Sequence, residues 1–410
     1  MKENKLIPHL FRTEYSKIVS VLCKTFGLEN IEVAQDFVSD SFLKAAETWK
    51  LHGIPDNPKA WLYTVSKNNA KDYFKRDFIF KTKITPELSK KKGSQEIEID
   101  LSDRNIKDSQ LQMLFAICNP IISSESQIAL ALRILCGFGI EEIANALLST
   151  KQTINKKLYR AKEKLRANQI SLSFPPTKEL ELRLDNVLSI LYLLFNEGYY
   201  SSTADKTISK ELCLEAMRML HLLTENKGTS IPKVNALMSL FCFQASRLDA
   251  RTNAKGEQIL YNEQDKKKWN FELIAQGEIY LNKSAKENLI TKYHLEALIA
   301  YWHTRTTYHF KEKWQNILQL YNRLLQIEYS PVTALNRTYA LAMAEGKTPA
   351  LKEALKIDLT GNHLYQALLA ELYEGLDTAK HIEHLNLAIQ QTKNKEDILL
   401  LKKKLNLAKK

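Results

Sequence analysis

Apolar residues recur at steps of three and four along most of the chain, the period of amphipathic helices. The clearest case runs from Ile31 to Trp49, where Ala34, Phe37, Val38, Phe42, Ala45, Ala46 and Trp49 form one stripe. Asp36 and Asp40, four apart, fall together off that stripe. Residues 9–76 read as three or four such helices. His52 to Asn57 is a loop by its Gly and Pro content, and Pro58 is placed for the first turn of the next helix, with Asn57 as its cap. That helix turns Trp61, Leu62 and Val65 inward. Between Phe78 and Asp108 the periodicity is lost, which predicts a linker; its Lys90-Lys91-Lys92-Gly93-Ser94 stretch is polar, and Glu96, Glu98, Asp100, Asp103 and Asp108 make its second half acidic.

From Leu111 to Asn168 four helical stretches are broken at Asn119-Pro120, Gly137-Phe138-Gly139 and Ser149-Thr150. The last two breaks frame a helix-turn-helix, with Ile140, Ile143, Ala144 and Leu147 inward on its first helix and Ile154, Leu158, Ala161 and Leu165 on its second. After Phe174-Pro175-Pro176 the chain is helix after helix with short polar joints. Trp314, Ile317, Leu318, Tyr321, Leu324 and Leu325 show the spacing, Ser330-Pro331 opens a further helix ending near Glu345-Gly346, and the pairing repeats around Tyr365–Glu374 and Ala379–Gln391. These pairs are similar to degenerate tetratricopeptide units, which predicts a helical array.

Composition supports an all-α class, because Gly is only 12 and Pro only 10 of 410 residues, too few for a turn-dense β architecture. The length fits two or three domains. No run of about 18 apolar residues occurs and the start, MKENKLIPHLFR, lacks the apolar core of a secretory signal, so a cytoplasmic protein without a membrane segment is expected. The five cysteines are scattered and never paired as C-x-x-C, which predicts small core hydrophobes. The formal charge of +12 suits a polyanionic partner. Its placement sharpens this: residues 65–92 carry nine basic against three acidic side chains, and residues 151–168 seven against one, so each segment holds +6 and together they account for the whole excess. The second run lies on the second helix of the helix-turn-helix, where Lys and Arg meet phosphates and polar neighbours reach base edges.

Three segments carry a family resemblance. AQDFVSDSFLKAAETW at 34–49, NPKAWLYTVSKNNAKDYFKR at 57–76 and FGIEEIANALLSTKQTINKKLYRAKEKLR at 138–166 resemble, in order, parts of regions 2 and 4 of a bacterial RNA polymerase sigma factor of the extracytoplasmic-function type. NVLSILYLLFNEGYYSS at 186–202, LDARTNAKGEQILYNEQDKKKW at 248–269 and SPVTALNRTYALAMAEG at 330–346 resemble the subclass with a C-terminal tetratricopeptide-like extension. The resemblance implies region 2 at 1–80, a linker at 81–107, region 4 at 108–170 and the extension at 178–410. It also implies three sets of contacts. Asp36, Ser39, Asp40 and Phe42 would meet the core polymerase, Ser39 standing where a Gln is common. Asn57, Trp61, Lys67, Asn68, Lys71 and Arg76 would meet the −10 element, with residues 52–57 and Asn68 taking a flipped base, which has to offset a few kcal/mol of unstacking. Gln152, Thr153, Asn155 and Lys156 would meet −35 bases, and Lys157, Arg160 and Lys162 its phosphates.

The expected partners are therefore the clamp coiled coil and flap of the core polymerase, duplex and melted promoter DNA, and a regulatory partner of the array. No cofactor or metal is expected, and with no Walker loop, dinucleotide fingerprint, nucleophile elbow or H-E-x-x-H, no enzyme. Other clusters have simpler readings. His381 and His384 read as surface or capping residues for want of a third ligand. Gly198 reads as the left-handed end of a helix. Asp249, Arg251, Asp265 and Trp269 read as an ion pair and core contact of the array. The competing function is a helical-repeat scaffold whose helix-turn-helix head makes it an ordinary transcriptional regulator.

Overall fold

The computed structural model describes residues 3–84, 98–147, 149–200, 206–251, 253, 259, 261–286, 289–305, 309–392 and 395–409. Eighteen α-helices and no strand occur among the described residues, so the chain is all-α. It divides into two compact units, Met1–Leu194 and Phe195–Lys410. The Lys90–Ser94 stretch of the expected linker lies outside the described residues.

The first unit is organised by α1 (Glu3–Phe26). Tyr15, Ile18, Val19, Val21, Leu22 and Cys23 are buried on nearly every side of it, and a helix apolar all round has to be covered all round. α2 (Ile31–His52) and α3 (Pro58–Ile84) pack against it, and so do α4 (Asp103–Ile117) and a buried π-helical turn, Ala131–Leu135, that continues α5 (Ser124–Leu130). Helices on both sides of the expected linker thus share one core. A buried hydrogen bond from Gln110 Nε2 to Ser16 Oγ at 3.1 Å and a partly buried one from Lys24 Nζ to Asn105 Oδ1 at 2.8 Å tie α4 to α1. α6 (Ile140–Ala146) and α7 (Lys151–Ala167) complete the layer.

Local chemistry explains the boundaries. α2 stops at Gly53, whose φ of 86° is open to glycine and which donates its N–H to Trp49 O at 3.0 Å. Asn57 Oδ1 then accepts from Ala60 N at 2.9 Å and starts α3 as expected. The linker is shorter than 81–107, because α3 continues to Ile84 and Ser102 caps α4 by accepting from Asn105 N at 3.4 Å. α8 (Thr177–Tyr200) begins just after Pro175-Pro176, but the array does not begin with it. Arg183 donates to Phe115 O at 2.6 Å and Asn186 to Gln127 Oε1 at 3.0 Å, so the first turns of α8 belong to the first unit. Gly198 does not end α8, which runs on to Tyr200.

The second unit is built of sequence-adjacent helices packed on one another: α9 (Lys206–Glu225), α10 (Pro232–Ala245), α11 (Phe271–Ser284), α12 (Lys292–Thr304), α13 (Phe310–Ile327), α14 (Pro331–Glu345), α15 (Lys347–Ala354), α16 (His363–Tyr373), α17 (Thr378–Gln391) and α18 (Lys395–Ala408). α10 is buried throughout Lys233–Phe243. At Gly277 of α11 an added Cβ would lie 2.6 Å from the Phe243 ring, and Ser239 donates to Gly277 O at 2.8 Å, so only glycine permits this approach. Ser330 caps α14 by accepting from Thr333 N at 3.4 Å, and the helix ends at Gly346, both where the sequence predicts. Trp314, Ile317, Leu318 and Leu324 join one core cluster across α12–α16. His381 is buried and bonds Ala370 O at 2.7 Å, and His384 bonds Gln366 Oε1 at 2.7 Å. Each ring thus has a protein partner, and no group of three metal-ligating residues occurs among the described residues.

All five cysteines are buried, and burial pushes the thiols of Cys118, Cys213 and Cys242 up to about 12. They pack as small apolar groups. No helix among the described residues is long and apolar enough to cross a membrane.

Candidate nucleic-acid interface

Two helices, α6 and α7, joined by a short turn, form where the periodicity places them. Gly139 N donates to Glu142 Oε2 at 2.6 Å and starts α6. Ser149 N bonds Ala144 O at 2.8 Å and closes the turn. Thr150 caps α7 by accepting from Thr153 N at 3.1 Å. Ile154, Leu158, Ala161 and Leu165 are all buried, a stripe at steps of four, three and four that fixes the rotation of α7. A Thr150→Ala substitution is expected to cost about 1 kcal/mol, the usual worth of such a cap, and a thermal melt of the full chain reads it.

That rotation sorts the candidate base and phosphate contacts. Gln152, Thr153, Asn155, Lys156 and Arg160 are exposed. Thr153, Lys156, Lys157, Arg160 and Lys164 line a cavity of about 520 Å³ closed on its other side by Ile122, Ser123 and Ser126. Lys157 is paired with Glu125, whose carboxyl is held below its ordinary range by that hydrogen bond. Lys164 Nζ donates to Ile121 O at 3.3 Å. The cavity therefore presents four basic side chains and three hydroxyl residues on one side of α7, which suits a phosphate backbone.

Lys162 does not join them. It follows the buried Ala161, so it faces α2 rather than solvent, donating to Gln35 Oε1 at 3.0 Å and lying 3.4 Å from Glu32. Burial pulls its pKa down against the pull of Glu32. Arg166, one turn on, lies 3.5 Å from Glu32 and donates to Glu29 O at 3.3 Å. Arg12 of α1 is paired with Glu142 of α6 and stacks 4.1 Å from the Phe138 ring centroid. Sequence reasoning missed these pairs. Their partners stand up to 137 residues apart, and nothing local marks them.

On α2, Asp36, Ser39 and Asp40 are exposed together. Phe42 is not part of that surface: it is 5% exposed and packs edge-on against Phe11 at 5.0 Å, because it lies on the apolar stripe. Ala46, expected on that stripe, is exposed. On α3, Asn68 and Arg76 are exposed, Lys67 and Lys71 half-buried, and Trp61 is half-buried against Trp49 at 5.4 Å. The Asn57 side chain is engaged as the cap described above. Tyr63 donates to Glu14 Oε2 at 2.6 Å, and burial together with that carboxylate pushes its phenol up.

Comparison with known proteins bears on both ends of the chain. Sigma-70 region 2 matches residues 10–77, the span of α1 to α3. A family of unknown function, DUF6596, matches residues 183–285. Uncharacterized protein R00370 of Rhizobium meliloti (strain 1021) is 32% identical over 358 residues, covering 85% of this chain and 84% of that protein. RNA polymerase sigma factor YlaC of Bacillus subtilis (strain 168) is 27% identical over 172 residues, 41% of this chain and 94% of that protein. No solved structure matches the chain.

Proposed function

Because the chain belongs to the family of the Rhizobium meliloti protein R00370 and carries a sigma-70 region 2 domain, we propose that it is a dissociable promoter-specificity subunit of bacterial RNA polymerase. The observation that carries this reading is the region 2 match over α1–α3, whose surface presents an acidic pair on α2 and a basic flank on α3. It belongs to the extracytoplasmic-function type with a tetratricopeptide-like extension. Asp36, Ser39 and Asp40 meet the core polymerase, while the 52–57 loop, Trp61, Lys67, Asn68, Lys71 and Arg76 open and hold the −10 element. Gln152, Thr153 and Asn155 face −35 bases, and Lys156, expected from the sequence to meet bases but lining the same basic cavity as Lys157 and Arg160, holds phosphates with those two. Residues 195–410 are the control element. Catalysis has no part in this role.

On this reading the contact between α7 and α2 is temporary. A reader of two separated promoter elements must span several turns of duplex, each about 34 Å long, whereas Lys162 and Arg166 hold α7 against α2. Binding to polymerase supplies the competing contacts that free it.

The test is transcription from a genomic library with purified core polymerase and the full chain, followed by footprinting. Protection upstream of discrete start points is expected, and its absence from every start point overturns the reading. With the assembled polymerase, Lys156→Ala and Arg160→Ala are each expected to weaken binding about equally on all promoters, lowering the slope of log affinity against log salt by about 0.9 per lost phosphate contact. An unchanged slope in the double variant removes these residues from the interface.

A further inference from the structure

In the second unit, basic side chains gather where, among the described residues, no carboxylate pairs with Arg247 or Lys313. The hub is Tyr261, on the loop that follows α10. Arg247, just past the end of α10, lies with its guanidinium carbon 5.3 Å from the Tyr261 ring centroid, and Lys313 of α13 lies with its ammonium 5.2 Å from it. The His303 ring of α12 stands edge-on to Tyr261 at 5.1 Å, and Trp269 lies 6.5 Å away. Lys313 is 8% exposed and spends two of its three protons, donating to Tyr261 Oη at 2.8 Å and to Arg305 O at 3.2 Å. Tyr261 in turn donates to His303 O at 2.6 Å. Arg247 donates to Tyr199 Oη at 3.2 Å, but its Nε is buried with no partner. The same holds for Trp269 Nε1 and His303 Nδ1.

Among the described residues, three carboxylates of this region are committed elsewhere. Glu278 pairs with Arg305 at 2.8 Å, Asp249 with Lys210 at 2.8 Å, and Asp265 accepts from Lys267 N at 3.0 Å. Arg251 stacks on Tyr199 at 3.9 Å and donates to Tyr199 O at 2.6 Å. Burial first, and then Arg247 and Lys266, pull the Lys313 ammonium down to about 8, and burial first, then Arg247 and Lys313, hold His303 well below its ordinary value. Burying cations without a counter-charge, and N–H groups without acceptors, is unfavourable unless another molecule supplies both.

We propose that Arg247, Lys313, Trp269 and His303 form a binding site for a phosphate group, carried by a small molecule or by the free ion. A tetrahedral oxyanion has three or more acceptor oxygens and close to two negative charges. It therefore matches the two cations, the Trp269 indole N–H and, in its Nδ1–H tautomer, the His303 ring better than a planar carboxylate does. The site is independent of the promoter-specificity reading, since every residue in it lies in the second unit.

The test titrates the full chain with inorganic phosphate and, separately, with glycerol 3-phosphate, against sodium chloride at matched ionic strength, reading tryptophan fluorescence and the melting temperature. A saturable fluorescence change and a higher melting temperature are expected with a phosphate compound and not with chloride. Tighter binding of glycerol 3-phosphate identifies a phosphorylated molecule as the ligand, and equal or tighter binding of inorganic phosphate identifies the ion. Arg247→Leu and Lys313→Met are each expected to weaken binding by about tenfold or more, the loss of one charge-assisted hydrogen bond. Lys313→Met is also expected to leave the melting temperature without phosphate unchanged or higher, since it removes a buried, unanswered charge. No saturable response of the unmodified chain to either phosphate compound at millimolar concentration overturns the proposal. So does a Lys313→Met chain that melts lower without phosphate and still binds it normally.

Discussion

An Asp36→Lys/Asp40→Lys chain is expected to lose its association with core RNA polymerase while keeping its fold. Both carboxylates are exposed, one helical turn apart on α2, so one rigid partner surface can meet both. Close charge pairs across an interface are worth about 1.5–7 kcal/mol in measured cases, and reversing two of them replaces attraction by repulsion. Association weaker by a factor of about a hundred or more follows from even the lower end of that range. The stability of the isolated chain should change little, because exposed substitutions usually stay within about 0.5 kcal/mol. Asp36 does lie within the field of Lys162, so the single Asp40→Lys variant, one turn farther from that lysine, separates loss of a polymerase contact from loosening of α7. Co-purification and a binding titration with the core enzyme decide the matter: undiminished affinity of the folded double variant sinks the polymerase reading of this face.

Leu22→Ala is expected to give the largest loss of stability. Leu22 is 1% exposed at the centre of α1, and truncating a buried Leu to Ala costs about 2–5 kcal/mol, the spread reflecting how far the cavity collapses. For a unit of this size that lowers the melting temperature by roughly 4–20 °C. The distinctive expectation concerns where the loss is felt. α1 is covered by α2 and α3 on one side and by α4 and the π-helical turn on the other, so amide exchange should accelerate in α2 and in α4 together. Faster exchange in α2 with α4 unchanged would mean that the two halves of the first unit are independent.

What could be read from the residues, and what could not, divides along physical lines. The starts of α3 and α14 were legible, since Asn57-Pro58 and Ser330-Pro331 place the cap and the first-turn proline next to each other. The inward stripe of α7 was legible too, because Ile154, Leu158, Ala161 and Leu165 already define one face. The choice of tertiary partner was not. Lys162 looks like any outward lysine until α2 is folded beside it, whereas the burial of Phe42 already follows from its place on the stripe and only its partner, Phe11, does not. Periodicity says which face is buried, not against what. The length of α8 was misread because Gly198 resembles a helix end, whereas in the folded chain it lies buried inside the helix. The phosphate-type cluster around Tyr261 was invisible for the same reason: Arg247, Tyr261, His303 and Lys313 come from four separate elements.

The sharing of α1 also bears on biosynthesis. α1 leaves the ribosome before the helices that cover it, and α4, on its second side, ends at Ile117, ninety-one residues after Phe26. At about 5–20 residues per second the nascent chain spends roughly 5–20 s with that apolar side uncovered. Chains stalled or truncated before residue 117 should accordingly be held by chaperones or precipitate, and those released beyond α7 should not.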